Sequence, residues 1–364
     1  MSAIKDHLWQ ALRSVQYPGY NRDIVSFGLV QLVAECDGVA RIALEPSAVA
    51  PETKDQLVAL VRGALADVPG IRSVEVQFAT PPEARRQAGH AGVAERLAGV
   101  RHVVAIGSGK GGVGKSTVAV NLAVAFAQRG LRIGLMDADA YGPNVPRMLG
   151  IEVLPPPRRG RISPAEAYGV RAVSIGLMVE PETPLVWRGP MTDKMVRQFL
   201  TDVDWGELDL LLVDLPPSTG DIPVSLAAHV RVDGAVIVVT PQAVAADDAL
   251  KAIGMFRRLQ VPLLGLVENM SYFECGECGT RHYLFGKDGG RELARDSGIP
   301  FLGEVPFEPV VRDGGDLGRP AVLVDRSVAG RALREIADKL STQWEIVPTL
   351  AGRGARGEGG AVGR

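Results

Sequence analysis

From Arg101 onward the chain alternates two kinds of apolar pattern. Near-continuous apolar runs at His102–Ile106, Arg132–Met136, Val170–Ile175, Asp209–Val213, Ala235–Thr240 and Leu263–Val267 are separated by stretches with helical spacing. Runs of that kind suit parallel strands buried on both faces. Their alternation with helices predicts a doubly wound, mostly parallel α/β sheet. The first 80 residues read differently. Ile4, Leu8, Leu12 and Val15 recur with the period of a helix. Val30–Ala34 and Val39–Leu44 read as strands joined at Asp37-Gly38, a hairpin signal. Lys54–Leu65 then reads as a helix and Ser73–Phe78 as a strand. The expected organisation is a small α/β domain over 1–80, a linker over 81–100, a large domain over 101–345 and a disordered, glycine-rich tail over 346–364.

Composition narrows the class. With 46% hydrophobic residues in 364, the chain can bury a substantial core. A formal charge of −2 gives no electrostatic reason to expect nucleic acid or an anionic membrane as partner. No apolar run approaches the roughly 20 residues of a membrane span, and the start of the chain does not read as a secretory signal. Three cysteines, an odd number, argue against a disulfide framework and for a reducing cytoplasm.

The chemistry begins at Gly109-Lys110-Gly111-Gly112-Val113-Gly114-Lys115-Ser116, between a strand and a helix expected over Ser116–Arg129. This fits the phosphate-binding loop G-x-x-x-x-G-K-[ST] in its required context. Its glycines let backbone N–H groups turn toward phosphate oxygens, Lys115 reaches the β- and γ-phosphates, and the Ser116 hydroxyl sits on Mg²⁺. Leu210–Asp214 is an apolar strand ending in a carboxylate, which places Asp214 to serve Mg²⁺ through water. Ile133–Asp139 ends in two carboxylates spaced i, i+2, which share one face of an extended chain. Of Asp137 and Asp139, one is expected at the metal's water shell and the other on the attacking water.

Cys275-Gly276-Glu277-Cys278-Gly279 reads as a metal knuckle, because glycines after each cysteine free backbone N–H groups to face sulfur. Two thiolates do not complete a tetrahedral zinc or a cubane iron–sulfur site, each of which takes four ligands. Cys36, in the small domain, offers only one more; a dimer offers four. A redox pair or an inert pair remains open on these residues alone. His282 reads as a plain loop residue rather than a zinc ligand.

Taken together, Gly107–Thr117, Asp137–Asn144, Trp187–Met191, Asp204–Asp209, Val213–Asp221, Thr240–Gln242, Val267–Phe273 and the cysteine pair resemble the Mrp/ApbC group of iron–sulfur cluster carrier ATPases. That group belongs to the deviant Walker A superfamily with MinD and ParA. The resemblance implies an ATPase that binds a [4Fe-4S] cluster at a homodimer interface and passes it to apo-proteins. Lys110 is similar to the lysine that crosses to the partner's nucleotide. Gly109, Gly111, Gly112, Val113, Gly114, Lys115, Ser116 and Thr117 match the nucleotide and Mg²⁺ contacts, and Asn269 the adenine-reading asparagine. Asp139 matches the residue that orients the hydrolytic water, Asp137 its metal-shell neighbour, and Cys275 and Cys278 the cluster ligands. The first 80 residues, through Ser14–Val30, look like the small domain of metal–sulfur cluster assembly factors. Two departures stand out: Pro46–Pro51 lacks the cysteine many such domains carry, and Ser218 replaces a usual glycine.

Two other functions fit parts of the sequence. A MinD- or ParA-like positioning ATPase would need a membrane-seeking helix or a basic surface; Ala332–Trp344 is followed by glycines, and the charge is −2. The same ATPase could instead hold a structural zinc at the cysteine pair.

Overall fold

The computed structural model describes residues 3–18, 23–26, 29–36, 38–44, 53–66, 68–78, 93, 96–158, 160–178, 189–217 and 220–343. The Pro46–Pro51 turn, the linker up to residue 92, Ser218 and the tail over 346–364 lie outside them. The chain divides into two units, residues 1–88 and 89–364.

The first unit holds α1 (Ala3–Leu12), β1 (Val30–Cys36), β2 (Val39–Leu44), α2 (Lys54–Ala66) and β3 (Ser73–Phe78). Its sheet runs β1-β2-β3, the first pair antiparallel and the second parallel. Gly38, at φ 74°, makes the β1–β2 turn that Asp37-Gly38 predicts. Leu8 and Leu12 of α1 and Leu57, Val61 and Leu65 of α2 bury their stripes in a core with Ile42 and Leu44. α1 is shorter than the Ile4–Val15 spacing predicts; it ends at Leu12, and Ser14 Oγ donates to the Ala11 carbonyl at 2.7 Å.

The second unit is built on an eight-stranded sheet. Its elements in chain order are β4 (Val103–Ser108), α3 (Lys115–Gln128), β5 (Ile133–Asp137), α4 (Val145–Leu149), β6 (Ala165–Ala167), β7 (Val170–Ser174), α5 (Gly189–Thr201), β8 (Leu210–Asp214), α6 (Asp221–His229), β9 (Gly234–Val239), α7 (Ala243–Arg258) and β10 (Leu263–Asn269). A short hairpin, β11 (Phe273–Glu274) and β12 (Arg281–His282), follows, then α8 (Gly289–Asp296), β13 (Phe301–Val305), α9 (Pro309–Leu317) and α10 (Val328–Gln343). The strand order is β13-β10-β9-β4-β8-β5-β7-β6, with every pair parallel except β6–β7.

The buried runs explain the layering. Along β4, Ala105 packs with one core while Val104 and Ile106 pack with the other, and Met136 and Leu135 of β5 divide the same way. The first core takes in α5, α6 and α7; the second takes in α3 and α10. All six strands expected from the apolar runs are present, within a residue or two of the expected bounds. β13 and β6 were not legible. Phe301-Leu302-Gly303-Glu304-Val305 breaks its apolar run with a glycine and a carboxylate because it is an edge strand, half-buried. β6 has three residues.

Phe126, fully buried where α3 meets the sheet, tests this packing. Phe126→Ala should lower unfolding stability by about 3–5 kcal/mol, read as a drop in urea midpoint. An unchanged midpoint would contradict the placement of α3.

Candidate functional site

The carboxyl ends of β4, β5 and β8 lie side by side, and each delivers one part of a polar site. β4 runs into residues 109–114, which turn into α3. Gly112 and Gly114 hold φ of 79° and 81°, a region costly for side-chain-bearing residues. Gly114 caps α3 without a side-chain hydrogen bond, and no acidic residue occupies the first turn. The helix thus presents bare N–H groups and its positive end to the cleft, as an anion site requires. Val113 is buried in the core and anchors the loop. Lys110 to Thr117 and Asp139 line a cleft of about 160 Å³. Gly109 packs behind it, where a Cβ would meet the backbone of Asp248.

Lys115 is buried and pairs with Asp214 at 2.6 Å and with Asp139 at 3.6 Å. Register places Asp137 directly opposite Asp214 on adjacent strands. Burial, with the Asp214 carboxylate alongside, pushes Asp137 up to about 8. Burial raises Asp214 as well, against the pull of Lys115. Both oxygens of Asp137 are engaged: Oδ2 accepts from Ser174 Oγ at 2.8 Å, and Oδ1 from the Asp139 backbone N–H at 3.1 Å. Asp139 is fixed too, its Oδ1 accepting from the backbone N–H groups of Tyr141 and Gly142 at 3.3 and 3.2 Å.

The residues suit Mg²⁺. Asp214 Oδ2 is buried without a hydrogen-bond partner, and the Ser116 hydroxyl adjoins the same carboxylate. Among the described residues no three His, Cys, Asp or Glu side chains converge as a metal cage. Mg²⁺ commonly takes one or two carboxylates plus phosphate oxygens and waters, so a full protein cage is not required. Asp214 and Ser116 fit that role better than Asp137, whose oxygens are occupied.

Asn269 stands at the end of β10 and borders a second cavity of about 410 Å³, which shares Thr117, Asn144 and Met148 with the phosphate cleft. Its amide donates to the Val113 carbonyl at 2.8 Å, so it holds the phosphate loop directly. A Cβ on Gly114 would come within 2.1 Å of this amide.

Beyond Asn269 the chain reaches the cysteine hairpin in three residues, Met270, Ser271 and Tyr272. Ser271 Oγ donates to Glu268 at 2.5 Å, and the Gly290 backbone N–H donates to the other Glu268 oxygen. Burial raises Glu268. Cys275 and Cys278 lie between β11 and β12, Cys275 half-buried and Cys278 exposed. The Cys275 N–H donates to the Thr280 carbonyl and the Gly279 N–H to the Cys275 carbonyl, both at 2.9 Å, closing a tight knuckle. The Thr280 hydroxyl sits 3.2 Å from Cys278 Sγ and pulls that thiol below its ordinary value. Cys36 belongs to β1 of the first unit. His282 is exposed on β12.

Ser174 and Thr280 escaped the sequence reading, and Glu268 and Ser271 entered it only within Val267–Phe273, with no role of their own. None belongs to a short motif with a mechanism of its own. Each matters through a partner brought close by the fold or by a tight loop.

Comparison with known proteins adds the following. Residues 99–341 match the family profile described as NUBPL iron-transfer P-loop NTPase, and residues 5–78 that of an iron–sulfur cluster assembly protein. An iron–sulfur cluster carrier protein of Deinococcus radiodurans is 46% identical over 94% of this chain and 96% of its own length. An Arabidopsis thaliana mitochondrial iron–sulfur protein required for NADH dehydrogenase is 48% identical over 67% of this chain and 79% of its own. Among solved structures, a nucleotide-binding protein of Archaeoglobus fulgidus in complex with ADP matches with a TM-score of 0.57 at 41% identity, over 63% of this chain and 91% of that one. The cell division ATPase MinD of Pyrococcus furiosus matches at 0.51 and 20% identity, over 66% and 99%, a likeness of fold.

The raised Asp137 gives a pH dependence. An acid whose folded pKa exceeds its unfolded value binds its proton more tightly when folded. The resulting stability is present below about pH 4 and is lost as pH rises toward about 8. The urea midpoint of the purified protein should therefore fall between about pH 5 and pH 8, and Asp137→Asn should flatten that fall. Equal slopes in the two proteins would sink the assignment.

Proposed function

Because the chain belongs to the family of iron-transfer P-loop NTPases that includes the iron–sulfur cluster carrier proteins, we propose that it is an ATP-hydrolysing carrier of iron–sulfur clusters. The cargo in this reading is a [4Fe-4S] cluster held between two copies of the chain and passed to apo-proteins. One observation carries it: a phosphate loop and a half-exposed thiol pair are joined through Asn269 to Tyr272, with Asn269 bonded to the loop itself.

In the nucleotide half, phosphates lie against the N–H groups of residues 109–117 and the start of α3, and the base enters the 410 Å³ cavity. Ser116 and Asp214 would hold Mg²⁺, which when bound would supply charge neutralisation on the transferred phosphoryl group. Lys115 swings from its carboxylate partners toward the β- and γ-oxygens. Asp139, pinned by two backbone N–H groups and lining the cleft, orients the attacking water. Lys110 lines the same cleft and reaches the partner's nucleotide, which makes the site complete only in the dimer.

In the cargo half, each copy supplies Cys275 and Cys278, and a cubane takes four thiolates. A two-fold axis bringing two hairpins together meets that count. Exposure of Cys278 leaves the cluster open to exchange, which suits delivery. Such a cargo needs a reducing compartment, and we place the protein in the cytoplasm. The likeness to MinD rests on fold, and no helix among the described residues is long and apolar enough to cross a membrane.

Lys115→Ala should abolish ATP turnover and, because it leaves Asp214 buried without its cation, should also lower the urea midpoint. Asp139→Ala should bind ATP yet hydrolyse it roughly 10²–10⁴-fold more slowly. Lys110→Ala should keep nucleotide binding and lose nucleotide-dependent dimerisation in sedimentation with a non-hydrolysable analogue. Normal turnover in the first two variants would overturn the roles given to Lys115 and Asp139, and an unaltered dimer in the third would overturn the crossing lysine.

After anaerobic reconstitution, iron and sulfide should each reach about two per subunit. Cys275→Ala or Cys278→Ala should remove them, and Cys36→Ala should not. About four irons per monomer, or full retention in Cys278→Ala, would rule out the bridging site. Tightly bound zinc without iron uptake would make the pair a structural clip.

A further inference from the structure

A third cavity, of about 400 Å³, lies beside the cysteine hairpin and shares no lining residue with the phosphate cleft. The hairpin segment gives it Tyr272 and Arg281, α8 gives Arg291, and α10 gives Arg331, Glu335 and Lys339. The last three recur every four residues and so share one helix face. The edge strand β13 adds Phe301 and Glu304. Four cations face two carboxylates, in a chain whose formal charge is −2.

These cations are placed, not merely present. The Arg281 guanidinium lies 4.3 Å over the Tyr272 ring, and Arg291 lies 4.4 Å over Phe301. A stacked guanidinium keeps its edge N–H groups for a carboxylate. Arg281 meets Glu274 at 3.2 Å and Arg291 meets Glu304 at 2.7 Å, which orients both. Lys339 donates to the Leu302 carbonyl at 2.6 Å. That bond blunts the edge strand, so a partner here is met by side chains and not by strand addition. Arg331 is exposed and makes no ion pair among the described residues. Arg281 follows Cys278 by three positions, on the strand leaving the thiols.

We infer that this cavity docks a short acidic segment of the apo-protein that receives the cluster. The inference rests on the carrier reading. Cluster transfer requires the acceptor's thiols to meet Cys275 and Cys278, and tethering the acceptor beside them raises its effective concentration there. Arg281 and Arg291 are paired with Glu274, Glu304 and Asp288, so the charges of Arg331 and Lys339, which pair with no carboxylate among the described residues, steer and orient an acidic partner while repelling basic ones. Arg331 supplies the unshared charge; Arg281 and Arg291 supply fixed edges around it. The volume accommodates a few side chains, which suits a segment and not a whole domain.

The test uses a fluorescein-labelled hexaglutamate peptide, with hexalysine as control, titrated by anisotropy onto the full-length protein. Hexaglutamate should bind in a salt-sensitive way and hexalysine should not. Arg331→Glu should weaken hexaglutamate roughly tenfold, and Glu335→Lys should tighten it. In parallel, transfer from the loaded protein to an acidic apo-ferredoxin should slow in Arg331→Glu while bound iron and ATP turnover stay unchanged. Equal peptide affinity across the three proteins, equal binding of hexalysine, or unchanged transfer in Arg331→Glu would overturn the docking site and leave the carrier reading intact. Charge-dependent hexaglutamate binding by a protein that takes up no iron would instead sink the carrier reading and keep the acidic-segment site.

Discussion

The buried pairing of Lys115 with Asp214 organises the nucleotide-binding unit. One lysine sits among the carboxylates of Asp137, Asp139 and Asp214 at the ends of two neighbouring strands. Removing that many charges from water is costly, and a single cation does not neutralise three anions. The fold meets the excess in two ways: Asp137 is raised so far that it keeps its proton near neutrality, and backbone N–H groups hold Asp139. A cluster so arranged is poised for rearrangement. In the proposed reading, a phosphate that drew Lys115 away would leave carboxylates able to take up a divalent cation, and nucleotide and Mg²⁺ would favour each other's binding.

That local economy is imposed by the sheet. Parallel register sets Asp137 opposite Asp214 with no freedom to slip, because both strands are buried on both faces by hydrophobic neighbours. The surrounding cores therefore hold like charges side by side that would separate in a softer frame. The same rigidity carries outward along β10. Asn269 grips the phosphate loop, Glu268 grips Ser271 and the start of α8, and the thiol knuckle begins a few residues on. Met270, Ser271 and Tyr272 alone separate the asparagine that grips the loop from the cysteine hairpin.

The first unit stands on its own hydrophobic core and its own three-stranded sheet. Its match is to an iron–sulfur cluster assembly family, and that of the larger unit is to iron-transfer P-loop NTPases. The first unit's Pro46–Pro51 segment carries no cysteine.

What the sequence determined by itself was whatever depends on neighbours along the chain. Two-sided burial writes continuous apolar runs, so the six central strands were legible; the phosphate loop and the Cys-x-x-Cys knuckle are contiguous and were legible too. The hairpin at Gly38 declared itself because a positive φ there favours glycine. Tertiary structure decided the rest. Strand order set Asp137 against Asp214, and no spacing along the chain encodes which strands adjoin. It turned Asn269 onto the Val113 carbonyl, 156 positions away, and set Ser174 on Asp137. It also hid β13, whose edge position allowed a glycine and a carboxylate to interrupt its pattern. Local chemistry is written in adjacent letters, whereas charge pairing, protonation and the basic cavity beside the thiols arise only when distant segments meet.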